Sequence, residues 1–213
     1  MENTTNTITL NKEDYQSYFE NGIDFETYFE QMKSYLNAPN LEDPYFDYTK
    51  LNLQRISRIL KQIKLDEKWK EVLPLLHHPI KWLVISEFWC GDAAQLLPIL
   101  HSIAQESNGK IDLKIVFRDQ NLPLIDSHLS FGGRAIPKVI QMDKYYSIIG
   151  TWGPRPLAVQ GLAKKWKVEF ATKELFAEQL HKWYFEDKQV SAQKDLFKLI
   201  NLAIANCPDC KFG

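Results

Sequence analysis

Cys90 stands in the run Phe88-Trp89-Cys90-Gly91-Asp92-Ala93. Before it comes the apolar stretch Trp82-Leu83-Val84-Ile85; after it Leu96, Leu97, Leu100, Ile103 and Ala104 recur at helical spacing. That order puts a sulfur at the end of a buried strand and the head of a helix, where free N–H groups and the helix dipole favour an anion. The thiol pKa is therefore expected to fall below its ordinary value of about 8.5, which yields the attacking thiolate. The alternative for such a residue is an inert, buried cysteine. A second feature is Gly133-Arg134-Ala135-Ile136-Pro137, which leads into a strand. Proline is disfavoured there unless it serves a special geometry such as a cis bond. A third is Cys207-Pro208-Asp209-Cys210, with Lys211 next to it to favour a thiolate. This pair could resolve an adduct on Cys90 or carry reducing equivalents to it, could form half of a zinc site, or could be passive.

The elements that must position these residues follow from periodicity. The first 78 residues read as helical: Phe25, Tyr28, Phe29, Met32, Tyr35 and Leu36 share one face, with Asp24 as cap. Leu53, Ile56, Ile59, Leu60 and Ile63 form the buried stripe of a second helix, and Arg55, Arg58, Lys61 and Lys64 its solvent face. The texture changes at Pro79. A strand is predicted over 80–88, a helix over 93–105 stopped by Gly109, a strand over 111–117 and a short helix over 122–129. Val139 to Met142 and Tyr146 to Ile149 read as a hairpin around Asp143-Lys144. Helices are predicted over 155–167, 172–187 and 190–205. The chain thus divides into a helical extension (1–78), an α/β core (79–167) and C-terminal helices with the cysteine tail (168–213). No Gly/Ser/Pro-rich linker separates them, so the extensions are expected to pack on the core.

Composition narrows the function. With 26 basic against 27 acidic side chains in 213 residues, the chain lacks the basic excess of a nucleic-acid binder. Nothing approaches the roughly 20 apolar residues of a membrane span. The start Met1-Glu2-Asn3-Thr4-Thr5 has no charged-then-apolar export pattern. Three cysteines are too few for a disulfide-built scaffold, so a reducing, cytoplasmic setting is expected. His77, His78, His101, His128 and His181 show no metal-ligand spacing, and no cofactor or metal is expected.

The order of these pieces resembles the thioredoxin superfamily over roughly residues 80–165. Trp89-Cys90-Gly91 matches the start of that superfamily's active-site motif, and Asp119-Gln120-Asn121 a run often found after its second strand. Gly133 to Pro137 matches the Ile-Pro loop, and Gly150 and Gly153 the turn after the last strand. More narrowly, Trp-Cys-Gly-Asp with Trp152-Gly153-Pro154-Arg155-Pro156 is similar to a bacterial group of uncharacterised thioredoxin-like proteins. The resemblance implies a three-layer α/β fold with a mixed central sheet and a cis proline at 137 facing Cys90. It also implies a substrate edge built from Trp89, Gly91, Asp92, Ile136, Pro137, Gly153 and Arg155.

Two positions depart from the pattern. The second active-site cysteine is replaced by Ala93, and the buried aspartate six residues before the first cysteine by Val84. Glu87 is the nearest carboxylate in sequence. Asp92 either stabilises the helix start or opposes a thiolate by repulsion. Arg155, held between two prolines, either binds an anionic group or the thiolate, or forms a structural ion pair. Trp89 and Trp152 form an apolar rim or simply pack. Asp119 reads as a helix cap, and Arg118 and Arg134 have no assigned role. Two functions follow. One is a monothiol thiol–disulfide oxidoreductase acting on protein or small-molecule thiols and disulfides, with Cys90 as nucleophile and Cys207, Cys210 or an external thiol releasing the product. The other is a redox-inactive thioredoxin-fold module that binds a protein or peptide.

Overall fold

A computed structural model describes residues 9–38 and 42–206. Four strands, β1 (Ile80–Ser86), β2 (Ile111–Phe117), β3 (Lys138–Met142) and β4 (Ile148–Trp152), form one sheet in the order β2-β1-β3-β4. β1 runs parallel to β2 and antiparallel to β3, and β4 is antiparallel to β3. The sheet is therefore mixed, as the resemblance implies. β1 is central: Trp82, Leu83, Val84 and Ile85 are fully buried, which explains a strand sequence without alternation.

Nine α-helices are described: α1 (Lys12–Glu20), α2 (Phe25–Asn37), α3 (Phe46–Gln62), α4 (Lys68–Val72), α5 (Gly91–Glu106), α6 (Leu122–Asp126), α7 (Leu157–Glu169), α8 (Lys173–Asp187) and α9 (Val190–Ala205). Asp24 caps α2, its carboxylate accepting from the Thr27 N–H at 2.7 Å. Between α1 and α2, Ile23 exchanges backbone hydrogen bonds with Ile115 at 2.9 and 2.7 Å. This bridge covers part of the outer edge of β2, which would otherwise present open pairing groups. α3 packs on α5, and α9 packs on β4. Among the described residues no helix is long and apolar enough to cross a membrane.

The second hairpin strand begins two residues later than expected. The Asp143 carboxylate accepts from the N–H groups of Tyr145 and Ser147 at 2.8 and 2.9 Å, which closes a turn through residue 147. Tyr146 is thereby held at a φ of 61°, outside any strand. β4 consequently extends to Trp152, opposite Val139, and delivers the Gly153 turn to the site.

Helix α8 ends unusually. Lys188 and Gln189 both adopt left-handed backbone, with φ of 50° and 65°. A non-glycine residue there costs roughly 1–2 kcal/mol. Lys188→Gly is expected to stabilise the fold by about 1 kcal/mol, part of the relief being returned to the freer unfolded chain. A thermal melt reads this as a rise of about 2–4 °C; no rise would show that the turn carries no such strain.

Candidate functional site

The site forms where β1 ends, α5 begins and two proline loops meet them. After Ser86 the chain turns, with the Cys90 N–H donating to the Glu87 carbonyl at 3.1 Å. Cys90 is the N-cap of α5, and its sulfur accepts from the Ala93 N–H at 3.4 Å. The thiol donates in turn to the Ile136 carbonyl at 3.4 Å. The Ile136–Pro137 bond is cis, and so is Gly153–Pro154. Gly153 has a φ of 113°, and a Cβ there would lie 2.2 Å from the Pro137 carbonyl oxygen. Only glycine lets the two loops approach this closely.

The placement at the helix head is as expected, but its electrostatic consequence is reversed. The sulfur is buried, at 6% exposure, and burial pushes the Cys90 thiol up to about 12. Repulsion from Asp92 adds to this, while the N–H groups of Ala93 and Asp92 and the Arg155 charge pull the other way. Magnitudes explain the outcome. A helix terminus contributes about 0.3–1 kcal/mol, under one pKa unit, whereas full burial shifts a group by up to about 3–5 units.

Asp92 is the electrostatic hub. Its Oδ1 accepts from Arg155 Nε at 2.9 Å and from the Tyr184 hydroxyl at 2.8 Å. Its Oδ2 faces an Arg155 guanidinium nitrogen at 2.6 Å. Burial pushes the Asp92 carboxyl up, and Arg155 and Tyr184 hold it back. The guanidinium of Arg155 is thus committed to a two-pronged ion pair rather than left open.

The surroundings resolve several other readings. Val84 is buried in the strand, and two residues further on the buried Ser86 hydroxyl lies 3.4 Å from that of Tyr28. Burial raises the Glu87 carboxyl, which accepts from the Asp119 N–H at 2.8 Å. Asp119 is therefore not a helix cap: its backbone is bound by Glu87 and its carboxylate pairs with Arg118 at 2.7 Å. Trp89 stacks on Tyr45, with ring centroids 5.0 Å apart, and the Arg118 guanidinium lies 4.7 Å from its ring. Arg134 pairs with Asp126 at 2.6 Å. The indole nitrogen of Trp152 is the one buried side-chain polar atom without a partner among the described residues.

Cys90, Gly91, Asp92, Ile136, Pro137, Gly153 and Arg155 thus come together through direct contacts. Cys207 and Cys210 lie outside the described residues. No group of three or more metal-ligating side chains occurs among the described residues. Sequence reasoning missed the cover supplied by α3 and α8. The Asn52 side chain donates to the Phe88 carbonyl at 3.0 Å, Arg55 donates to Asn52 at 2.8 Å, and His181 meets Gln95 at 3.1 Å. A Cβ at Gly91 would approach His181 Nε2 to 2.8 Å. Only the i, i+3 spacing of Arg55 and Arg58 hinted at a shared face.

The architecture is found in other proteins. A crystal structure of a protein of unknown function, PA1234 from Pseudomonas aeruginosa, is similar with a TM-score of 0.61 at 19% identity, covering 88% of this chain and 96% of that one. An HIV epitope-scaffold is similar with a TM-score of 0.59 at 19% identity, covering 88% and 97%. No curated protein matches the chain. At such identities the likeness carries the fold alone. A model of the thioredoxin family, however, matches residues 38–167, from just before α3 through most of α7. That span includes the helix head at Cys90, the Ile136–Pro137 loop facing its sulfur and the Gly153 turn, and on it the chain belongs to the thioredoxin family.

Proposed function

We propose that the protein is a thioredoxin-fold binding module that holds an extended polypeptide along the loop preceding Pro137, with Cys90 as a buried thiol that does not turn over. The observation that carries this reading is the state of the sulfur: sealed at 6% exposure, donating to the Ile136 carbonyl, and pushed up to about 12. Ala93 stands where a resolving cysteine would be needed. The loop also offers an apolar rim, since Leu129 is 44% and Phe131 76% exposed.

The rival reading, a monothiol oxidoreductase with Cys90 as nucleophile, draws support from the position of the sulfur opposite the proline loop. On that reading an external thiol releases the product. Asn206, the last described residue, lines a pocket with Pro79 and Ile80, at the end of β1 remote from Cys90. The seven residues of β1 span about 20 Å, and the four residues from Asn206 to Cys210 reach at most about 14 Å.

Three measurements bear on the two readings. Cys90 in the folded protein is expected to react with a chromogenic disulfide at pH 8 at least about a hundredfold more slowly than a free thiol, because little thiolate is present. Its raised pKa also fixes a sign. Above about pH 8.5 the unfolded chain loses this proton while the folded chain keeps it, so stability falls as pH rises toward about 12. Cys90→Ala is expected to flatten that slope in denaturant titrations. Peptides selected from a displayed 12-residue library should bind wild type and Cys90→Ala equally, and Phe131→Ser about tenfold more weakly, about 1.4 kcal/mol. Binding that vanishes in Cys90→Ala, with a mixed disulfide recovered from wild type, would overturn the module and establish the oxidoreductase.

A further inference from the structure

The chain has five arginines, and three of them pair with aspartates: Arg118 with Asp119, Arg134 with Asp126 and Arg155 with Asp92. Arg55 and Arg58 have no carboxylate partner among the described residues, and both face one trough between α3 and α8. One part of it, about 310 Å³, has Gln95 of α5 and His181 beside the two arginines. An adjoining part, about 260 Å³, shares Arg58 and Gln95 and adds Lys64 and Lys188. Four cations therefore line the trough, and no described lining residue is acidic, in a chain whose net charge is −1.

Such a concentration of like charge is costly unless something answers it. Asp92 answers it only in part: its charge acts on Arg55 through space, but Arg155 and Tyr184 occupy both of its oxygens. The remaining imbalance shows in the groups themselves: burial and the neighbouring Arg58 push Arg55 down to about 10, against the pull of Asp92. Burial and the charges of Arg55, Arg155 and Arg58 push His181 down to about 3, so the ring stays neutral and adds a hydrogen-bonding group rather than a fifth charge. The arrangement is also fixed in advance. Asn52, anchored on the Phe88 carbonyl, holds one arm of Arg55 at 2.8 Å and leaves the rest of the fork free. Arg58 lies 5.8 Å from the ring of Phe185, which is 64% exposed and offers a surface for an apolar body.

We propose that this trough is a binding site for a small organic molecule carrying two or more carboxylate or phosphate groups, one held by Arg55 and Arg58 and another by Lys64 and Lys188. The volumes suit a small ligand, and two subsites sharing Arg58 call for two separated anionic groups. The site is distinct from the Pro137 loop and does not depend on the reading given for it.

Calorimetric titration of the full chain with citrate and with pyrophosphate, in about 50 mM salt, tests this. At least one is expected to bind with a Kd below about 1 mM, citrate reporting a carboxylate preference and pyrophosphate a phosphate preference. Arg58→Gln is expected to weaken binding about tenfold or more, the loss of one or two charge-assisted hydrogen bonds. Among the described residues the Arg58 side chain makes no hydrogen bond, so the variant should melt with wild type. Lys167→Gln, on exposed α7, should bind as wild type does. The proposal is overturned if neither polyanion binds with a Kd below about 1 mM, if acetate binds as tightly as citrate, or if Arg58→Gln leaves the affinity unchanged. Binding of hexa-aspartate without binding of either small polyanion would likewise overturn it, in favour of an acidic protein partner.

Discussion

Gly153→Ala is expected to lower stability by about 2–5 kcal/mol, which moves a urea midpoint by roughly 1–2 M in a domain of this size. Two costs combine. The φ of 113° is one that an L side chain seldom adopts, worth about 1–2 kcal/mol. The new Cβ would also sit 2.2 Å from the Pro137 carbonyl oxygen, a backbone atom that no rotamer change can remove. Overpacking of this kind adds about 1–3 kcal/mol. Gly109→Ala supplies the control: its φ is 84°, yet a Cβ there meets nothing within 4 Å. It should cost only the backbone share. If the two variants prove equally destabilising, the loop-on-loop contact is not what Gly153 serves. A second readout follows from the same geometry. Displacing Pro137 also displaces the Ile136 carbonyl that holds the Cys90 thiol, so labelling of Cys90 should accelerate in Gly153→Ala.

The part of this site that sequence made legible is the part built from neighbours in the chain. An unbroken apolar run before Cys90, a helical stripe after it and a proline ahead of the next strand are local signals. Together they placed β1, α5 and the Ile136–Pro137 loop. The exposure of the sulfur was not legible, because its cover comes from afar. Asn52 reaches Phe88 across 36 positions, His181 reaches Gln95 across 86, and Tyr184 reaches Asp92 across 92. Nothing in the periodicity of α3 or α8 says which helix head they shield. The helix dipole was read correctly as a local effect; burial, a property of the whole fold, outweighed it. Likewise Asp143 was read as part of a two-residue turn, while its carboxylate binds two further N–H groups and lengthens the turn to Ser147.

Asp92 then accounts for how one fold can keep a cysteine at a helix head and still raise its thiol pKa. Its carboxylate anchors the loop through Arg155 and α8 through Tyr184, so the elements that bury the sulfur are tied to the residue two positions after it. Asp92→Asn preserves shape but leaves the Arg155 guanidinium, whose side chain is only 26% exposed, without a counter-charge. Breaking a buried pair from one side costs about 3–5 kcal/mol, and the asparagine oxygen, still able to accept from Tyr184, should put the loss near the lower figure. Arg155→Gln should cost about as much by stranding the carboxylate. The double variant should lose markedly less than the sum, with a coupling of at least about 2 kcal/mol in urea denaturation. Additive losses would mean that the two groups act separately, and the anchoring role would then fall to Tyr184 alone. Asp92→Asn also probes the sulfur, because it removes the negative charge whose repulsion adds to burial in raising the Cys90 thiol. Labelling of Cys90 should therefore titrate at lower pH than in wild type, while burial keeps its pKa above that of a free thiol.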